Sequence, residues 1–131
     1  MADLPNITES EWLIMNALWE KSPLTSAQII DRVRRDKKLG GTTIKTLLHR
    51  LIAKNAVRSA VDTNNKKLYY YFPLVSEDDC VMKESRHFLS HYFKNDMNKL
   101  LTTFVENNDM TSEEIERLKD LLEQKKEESD S

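Results

Sequence analysis

The sequence has very little cysteine and glycine, with one Cys and two Gly in 131 residues. A single cysteine cannot form an internal disulfide, which favours a reducing compartment. Two glycines are too few for the Gly-rich loops that bind phosphates in nucleotide-dependent enzymes, and no Rossmann or P-loop pattern is present. These shortages argue against a disulfide-stabilised extracellular domain and against a nucleotide-binding enzyme.

Long apolar runs are also missing. No run approaches the roughly 20 residues that a membrane span needs. The beginning of the chain lacks the basic and apolar regions of a signal peptide, so we expect a cytoplasmic protein without membrane association. Hydrophobic residues still make up 39% of the chain, which is enough to form a core in one domain or in two small ones.

The charge of the chain is unevenly distributed. The net charge of −2 gives no reason by itself to expect a nucleic-acid partner. Residues 1–75, however, carry 12 basic and 7 acidic side chains, a net of +5, whereas residues 76–131 carry 8 and 15, a net of −7. This asymmetry predicts two domains, 1–75 and 76–131, with the basic one facing an anion. The alternative for the acidic half is a solvated helical surface.

Capping signals predict the first helices. Thr8 precedes Glu11 by three residues, and Thr25 precedes Gln28 in the same way, as in capping boxes. The helices that they open should end near Lys21 and Arg35, and the short connection between them forces the two to cross. Gly40-Gly41 breaks the chain again, and a third helix is expected to start at Thr42 or Thr43.

The third predicted helix has two contrasting faces. Its apolar residues follow the i, i+3, i+4, i+7, i+8 spacing of a stripe buried on one side; they are Ile44, Leu47, Leu48, Leu51 and Ile52. The opposite face contains no acid and consists of Thr43, Lys45, Thr46, His49 and Arg50, with Lys54 beyond. A merely solvated helix usually mixes signs, because Glu–Lys pairs stabilise it. An acid-free face therefore predicts a polyanionic partner.

A basic hairpin follows this helix. Residues 56–61 are predicted to form a strand, 62–65 a turn and 66–72 the returning strand. Arg58, Lys66 and Lys67 lie near its tip. Three helices and a basic hairpin make a winged helix-turn-helix, in which the third helix enters the major groove and the hairpin touches the flanking backbone. Base stacking on single strands by the aromatic run 69–72 is a weaker alternative, because successive strand residues alternate faces.

The remaining residues predict three more helices and complete a mainly α fold class. Ser76 should cap a helix to about Lys94, a second helix begins at Asn95-Asp96, and Thr111 with Glu114 caps a third, whose tail 127–131 should fray. Such a short module cannot easily bury its large side chains alone, so we expect a dimerisation domain that forms a homodimer. The alternative is packing against the N-terminal module. The expected dimerisation residues are Phe88, Tyr92, Met97, Leu100, Leu101, Phe104, Val105, Ile115, Leu118 and Leu122.

Several strings of this sequence resemble one protein family. They are Glu11-Trp12 with Met15 and Leu18-Trp19, Thr43-Ile44-Lys45-Thr46-Leu47-Leu48 with Arg50-Leu51, Tyr71-Phe72-Pro73-Leu74-Val75, Phe104-Val105-Glu106 and Glu113-Glu114-Ile115-Glu116-Arg117-Leu118. Together they are similar to the penicillinase-repressor family of bacterial winged-helix repressors (BlaI/MecI type). The resemblance covers most of the chain. It implies a homodimer that binds double-stranded palindromic operator DNA and represses β-lactamase or antibiotic-resistance genes.

The resemblance also implies functional residues. It favours Thr42, Thr43, Lys45, Thr46 and Arg50 as DNA contacts. It further implies release from DNA when a sensor-linked protease cuts the dimerisation module between an Asn and a Phe. The matching bond here is Thr103–Phe104, where the Phe is retained and the Asn is replaced by Thr. A sister branch responds to copper through paired C-terminal cysteines, which this chain lacks.

One further pattern suggests a metal. Cys80, Glu84, His87 and His91 are spaced to share one face of the fourth helix, and two His one turn apart can bind zinc. The competing explanation is a small core cysteine with surface histidines, so we expect no bound cofactor. Nothing else clusters acid, base or nucleophile groups, so an enzyme is not expected. A metal-responsive repressor and a protein-binding winged helix without DNA are the alternative functions.

Overall fold

The computed structural model describes residues 4–36 and 39–130. The secondary-structure elements of this part are, in chain order, α1 (Glu9–Glu20), β1 (Leu24–Thr25), α2 (Ser26–Asp36), α3 (Gly41–Ala53), β2 (Val57–Val61), β3 (Tyr69–Pro73), α4 (Glu77–Phe93), α5 (Met97–Glu106) and α6 (Ser112–Asp130). The expected mainly α class with a winged helix-turn-helix is confirmed. The chain divides into two compact units between Glu84 and Ser85, inside α4. The boundary expected at residue 75 therefore lies nine residues earlier than this division.

The predicted capping boxes form as hydrogen-bonded pairs. The Thr8 hydroxyl accepts from the Glu11 N–H at 3.2 Å, and the Glu11 carboxylate accepts from the Thr8 N–H at 2.9 Å. Thr25 and Gln28 repeat this geometry at α2, and Thr111 and Glu114 at α6. Hydrogen bonds within four residues decide these helix starts, which explains why they can be read from the sequence.

The first unit has a closed core beneath a small antiparallel sheet. The strand order is β1-β3-β2, and the predicted hairpin pairs Val57 with Pro73 and Val61 with Tyr69. The two-residue strand β1, which was not predicted, pairs with Tyr70 and Tyr71. The largest completely buried apolar side chains are Ile14, Met15, Leu18, Ile29, Ile44, Leu51 and Val57.

Three boundaries differ from the predicted ones. α3 begins at Gly41 rather than at Thr42 or Thr43, because Gly40 acts as the N-cap residue. The returning strand begins at Tyr69 rather than at residue 66, because Asn65 accepts hydrogen bonds from the N–H groups of Lys67 and Leu68 and extends the turn. α6 is helical through Asp130, although residues 127–131 were expected to fray. Nine of the 19 residues of α6 are Glu or Lys, which favour helix.

The second unit contrasts with the first because none of its described residues, 85–130, is buried. Asn95 and Asn108 adopt left-handed backbone angles (φ 65° and 60°) and end α4 and α5. Large apolar side chains of all three helices remain at the surface. None of the helices in the described ranges is long and apolar enough to cross a membrane.

Candidate nucleic-acid interface

The core of the first unit fixes which side of α3 is outside. Ile44, Leu47, Leu48 and Leu51 are at most 5% exposed and pack against α1, α2 and the sheet. The helix repeats every 3.6 residues, so anchoring this stripe leaves the opposite side in solvent.

The outward side of α3, which we call the α3 face, carries the predicted contact residues. It consists of Thr42, Thr43, Lys45, Thr46, His49 and Arg50, all of them exposed. No acid occurs anywhere in Gly41–Ala53. Within residues 4–36 and 39–130, no ion pair involves Lys45 or Arg50. Among the described residues, the alternative of a salt bridge from Arg50 to a neighbouring helix is therefore not observed.

Local hydrogen bonds refine the roles of the threonines. The Thr46 hydroxyl donates to the Thr42 carbonyl oxygen at 3.1 Å, one turn earlier in the helix. That bond uses the hydroxyl hydrogen and leaves the methyl group and an oxygen lone pair at the surface. Thr46 therefore combines helix-surface bonding with a free methyl, the group that suits contact with a thymine methyl.

The amino end of α3 is suited to an anion. Gly40 caps the helix without a side-chain hydrogen bond. The first N–H groups of a helix have no acceptor within the helix, and the helix dipole places partial positive charge there. Together with the exposed hydroxyls of Thr42 and Thr43, these groups form a polar end that can bind a phosphate.

Lys54, beyond the α3 face, has a structural role that the sequence did not reveal. Its ammonium lies 2.6 Å from Oε1 of Glu11 and 2.8 Å from the carbonyl oxygen of Asn6. Burial by itself raises the pKa of the Glu11 carboxyl, but hydrogen bonds from Lys54 and Thr8 and the charge of Lys54 outweigh it, so this pKa lies below its ordinary value. Glu11 is 1% exposed, and the pair ties the end of α3 to the start of α1.

The hairpin supplies three exposed cations. Arg58 lies on β2 with its guanidinium carbon 4.2 Å from the centre of the Phe72 ring on the paired strand. Lys66 and Lys67 lie in the connection after β2 rather than on the returning strand. Because β2 directly follows α3 and packs against it, the hairpin belongs to the same unit as the α3 face. Arg58 therefore lies against an aromatic ring near the base of the hairpin rather than near its tip, where the sequence predicts it, whereas both lysines lie in the loop.

The residues of the proposed metal stripe have different surroundings. Cys80 is 3% exposed and packs in the core of the first unit, where burial, with the nearby carboxylates of Asp79 and Glu84, raises the pKa of its thiol. His87 and His91 are exposed. Among the described residues, no group of three or more His, Cys, Asp or Glu side chains is placed to hold a metal ion. Cys80 is accounted for as a core residue.

The expected dimerisation residues lie at the surface of the second unit. Phe88, Tyr92, Met97, Phe104, Val105, Ile115 and Leu122 are exposed, and Leu100, Leu101 and Leu118 are partly buried. The Thr103–Phe104 bond lies inside α5, where the Thr103 hydroxyl donates to the Lys99 carbonyl oxygen at 2.7 Å. A protease that needs an extended substrate must first unwind this turn of α5.

Comparison with known proteins places these features in one family. The penicillinase repressor family matches residues 7–124. The chain is 34% identical over 119 residues to the methicillin resistance regulatory protein MecI of Staphylococcus aureus strain N315, covering 91% of this chain and 94% of that protein. It is 32% identical over 116 residues to a penicillinase repressor of Staphylococcus aureus, covering 88% and 90%.

A solved structure matches the first part of the chain. It is the solution structure of monomeric Bacillus licheniformis BlaI in complex with the blaP half-operator, with a TM-score of 0.52 and 26% identity, covering 60% of this chain and 93% of that one. With a family match over most of its length and relatives above 30% identity, the chain belongs to the penicillinase repressor family.

Proposed function

We propose that this protein is a transcriptional repressor that binds operator DNA and controls β-lactamase or antibiotic-resistance genes. The observation that carries the proposal is the α3 face, which is exposed, free of acids and presented by a helix whose other side is anchored in a core. Membership of the family supports it, since one relative is a methicillin resistance regulator and BlaI is described in complex with a half-operator.

Each residue of the α3 face has a role set by its chemistry. Arg50 reaches a guanine edge or a phosphate, and the Thr46 methyl contacts a thymine. Lys45 and His49 flank this stripe and contact the sugar-phosphate backbone. Thr42 and Thr43 bind a phosphate at the helix N-terminus, which sets the register on the duplex.

The hairpin contributes affinity without reading bases. Arg58, Lys66 and Lys67 approach the backbone beside the groove that α3 occupies, and each releases counterions on binding. Since the phosphate is the same at every base pair, these cations should increase the affinity for operator DNA and for random DNA equally.

The proposed active form is a homodimer joined through residues 85–131. Its support is the large apolar surface of this unit, which has no buried residue in its described part. A groove on α6 is lined by Ile115, Leu118 and Leu122 together with Lys119, Glu123 and Lys126, and the surface that it exposes is mostly apolar. A two-fold dimer predicts a palindromic operator with half-sites spaced by about one helical turn, or by a multiple of it.

Release from DNA is proposed to follow cleavage by a sensor-linked protease at Thr103–Phe104. A cut there separates the end of α5 and all of α6 from the rest, which removes the α6 groove from each subunit. Mass spectrometry of the protein from host cells exposed to a β-lactam should detect a fragment ending at Thr103. Thr103→Asn should increase the amount of the fragment ending at residue 103, and Phe104→Ala should abolish it. An intact chain in the original protein and in both variants would contradict the mechanism.

The DNA-binding claim is tested by Arg50→Ala. Genome-wide footprinting of the purified protein identifies the operator, and fluorescence anisotropy then measures its affinity. We expect a loss of about 1–3 kcal/mol for Arg50→Ala, about 5- to 150-fold in Kd. Arg86→Ala removes the same charge from the exposed surface of α4 and serves as the control. Unchanged operator affinity in Arg50→Ala would overturn the docking of α3, and a footprint without any preferred site would favour a protein partner instead.

A further inference from the structure

Two histidines lie next to each other on the part of α4 that belongs to the second unit. The rings of His87 and His91, one helical turn apart, are nearly parallel, with an interplanar angle of 15° and centroids 5.5 Å apart. The Tyr92 ring lies nearly perpendicular to the His91 ring, at 85°, with the two centroids 4.6 Å apart. The two imidazoles therefore extend in the same direction from one face of the helix.

Both imidazoles are open to solvent. His87 and His91 are exposed, and in the described part of the chain neither ring takes part in an ion pair or in a hydrogen bond to another residue. An imidazole used for structure generally has one nitrogen committed to a carbonyl or carboxylate. These rings keep their nitrogens available to an external ligand.

The surrounding unit attracts cations. Residues 85–131 carry 11 acidic and 7 basic side chains, a net charge of −4. A negative field raises the local concentration of a divalent cation, although it does not distinguish one such ion from another. Selectivity must come from the ligand atoms, which here are two imidazole nitrogens.

We propose that His87 and His91 form a chelating site for one divalent transition-metal ion of the class that prefers imidazole, such as Zn²⁺, Ni²⁺ or Cu²⁺. Two nitrogens on adjacent turns bind the ion together, and water completes its coordination. The site shares no residue with the α3 face. Because the ion joins residues four apart on a helix, its binding stabilises the helical state of α4.

The test is calorimetric titration of the tag-free, full-length protein with Ni²⁺, Zn²⁺ and Mg²⁺. We expect saturable binding of Ni²⁺ and Zn²⁺, with no comparable binding of Mg²⁺, which prefers oxygen ligands. Equal affinity for Mg²⁺ would identify the acidic surface as the binder and overturn the proposal.

Substitutions distinguish Ni²⁺ binding by the histidine pair from binding by other side chains. His87→Gln and His91→Gln should each weaken Ni²⁺ binding by at least about tenfold, because even the loss of a hydrogen-bond partner of a metal ligand costs about 10- to 100-fold. His49→Gln removes the remaining histidine, on α3, and Cys80→Ala removes the buried thiol; both should retain the Ni²⁺ affinity. Loss of binding in Cys80→Ala, or its retention in His87→Gln, would overturn the site.

A stability measurement gives a second readout. Ni²⁺ should raise the thermal midpoint monitored by circular dichroism in the original protein and in His49→Gln but not in His91→Gln. The substitutions lie at exposed helical positions, so spectra without metal should coincide. An equal shift in His91→Gln would count against the chelate.

Discussion

Two helices of this protein share one apolar pattern and have opposite burial. In α3, Ile44, Leu47, Leu48 and Leu51 follow helical spacing and are at most 5% exposed. In α5, apolar residues from Met97 to Val105 follow the same spacing, yet the helix contains no buried residue. The apolar stripe of α3 is buried in the core of the first unit, whereas that of α5 is not buried. An apolar stripe therefore predicts that this side of the helix will be buried, without indicating whether the same chain or another chain buries it.

The contrast extends to function. In the first unit, burial of one helix face leaves the opposite, acid-free face free for DNA. In the second unit the apolar side chains themselves remain available, and the net charge of its residues is negative. Uncovered apolar surface of this extent is typical of association sites.

The largest expected effect tests the closed core. Leu51→Ala removes a completely buried side chain and should lower the free energy of unfolding by about 2–5 kcal/mol, independently of protein concentration. Both tryptophans, Trp12 and Trp19, lie in the first unit and report on its urea unfolding by fluorescence. A cost below about 1 kcal/mol would show that this stripe is less tightly packed than the structure indicates.

The next effect tests the open unit. Leu118→Asp places a charge in the apolar groove of α6 and should weaken self-association by about 100-fold or more, since an unpaired charge is costly to bury. Sedimentation equilibrium measures the change. Gln124→Asp adds the same charge at an exposed position of α6 outside that groove and should leave the dimer intact. If the unsubstituted protein sediments as a monomer at tens of micromolar, the proposed dimer is wrong.

A smaller effect concerns Glu11, the acid that is buried in the described part of the first unit. Glu11→Gln should cost about 1–3 kcal/mol at neutral pH, because hydrogen bonds to charged groups contribute about this much. The folded-state pKa of Glu11 is lowered, so its stabilisation is complete above the ordinary value near 4.5 and is lost as the pH falls through the lowered pKa.

Urea unfolding at about pH 7 and about pH 3 checks this pH dependence. The difference between the original protein and Glu11→Gln should be smaller at the acidic pH, because the stabilisation by the Glu11 carboxylate declines below its ordinary pKa. The exposed Glu9, in the same helical turn, gives the control substitution Glu9→Gln. A difference that stayed constant with pH would mean that the ion pair with Lys54 contributes nothing through its charge.

The smallest effect concerns the hairpin. Lys67→Ala should weaken DNA binding by less than about 1 kcal/mol, equally for operator and random duplexes, and should reduce the salt slope by about one. Anisotropy titrations over a range of salt concentrations measure both quantities. A loss confined to the operator would instead make Lys67 a base-reading residue.

Local features of the fold could be predicted, and those that join distant parts of the chain could not. The capping pairs Thr8–Glu11 and Thr25–Gln28 involve residues three apart, so the sequence contains both partners together. Strand β1 was missed because its two residues become a strand only by pairing with Tyr70 and Tyr71. The sequence predicts Lys66 and Lys67 on the returning strand, because no nearby residue indicates that the turn at Asn65 continues to Leu68.

The candidate site divides in the same way. The acid-free face of α3 follows from spacing and residue type, so the sequence was sufficient to predict it. Nothing in the local sequence indicates that Lys54 pairs with Glu11, 43 residues away, or that Arg58 lies against Phe72. The spacing of Cys80, His87 and His91 suggested one stripe, whereas packing buries the thiol and leaves the imidazoles exposed.

The sequence by itself determined where most helices begin, which side of each is apolar and which face carries cations, because capping and amphipathic periodicity depend on residues within one or two turns. Only the tertiary structure decided which apolar stripes are covered within the chain, that the first turn of α4 contributes Cys80 to the core, and that Glu11 is buried with Lys54. Burial and ion pairing depend on which residues from distant segments of the chain come into contact. The spacing of residues along the sequence does not determine those contacts.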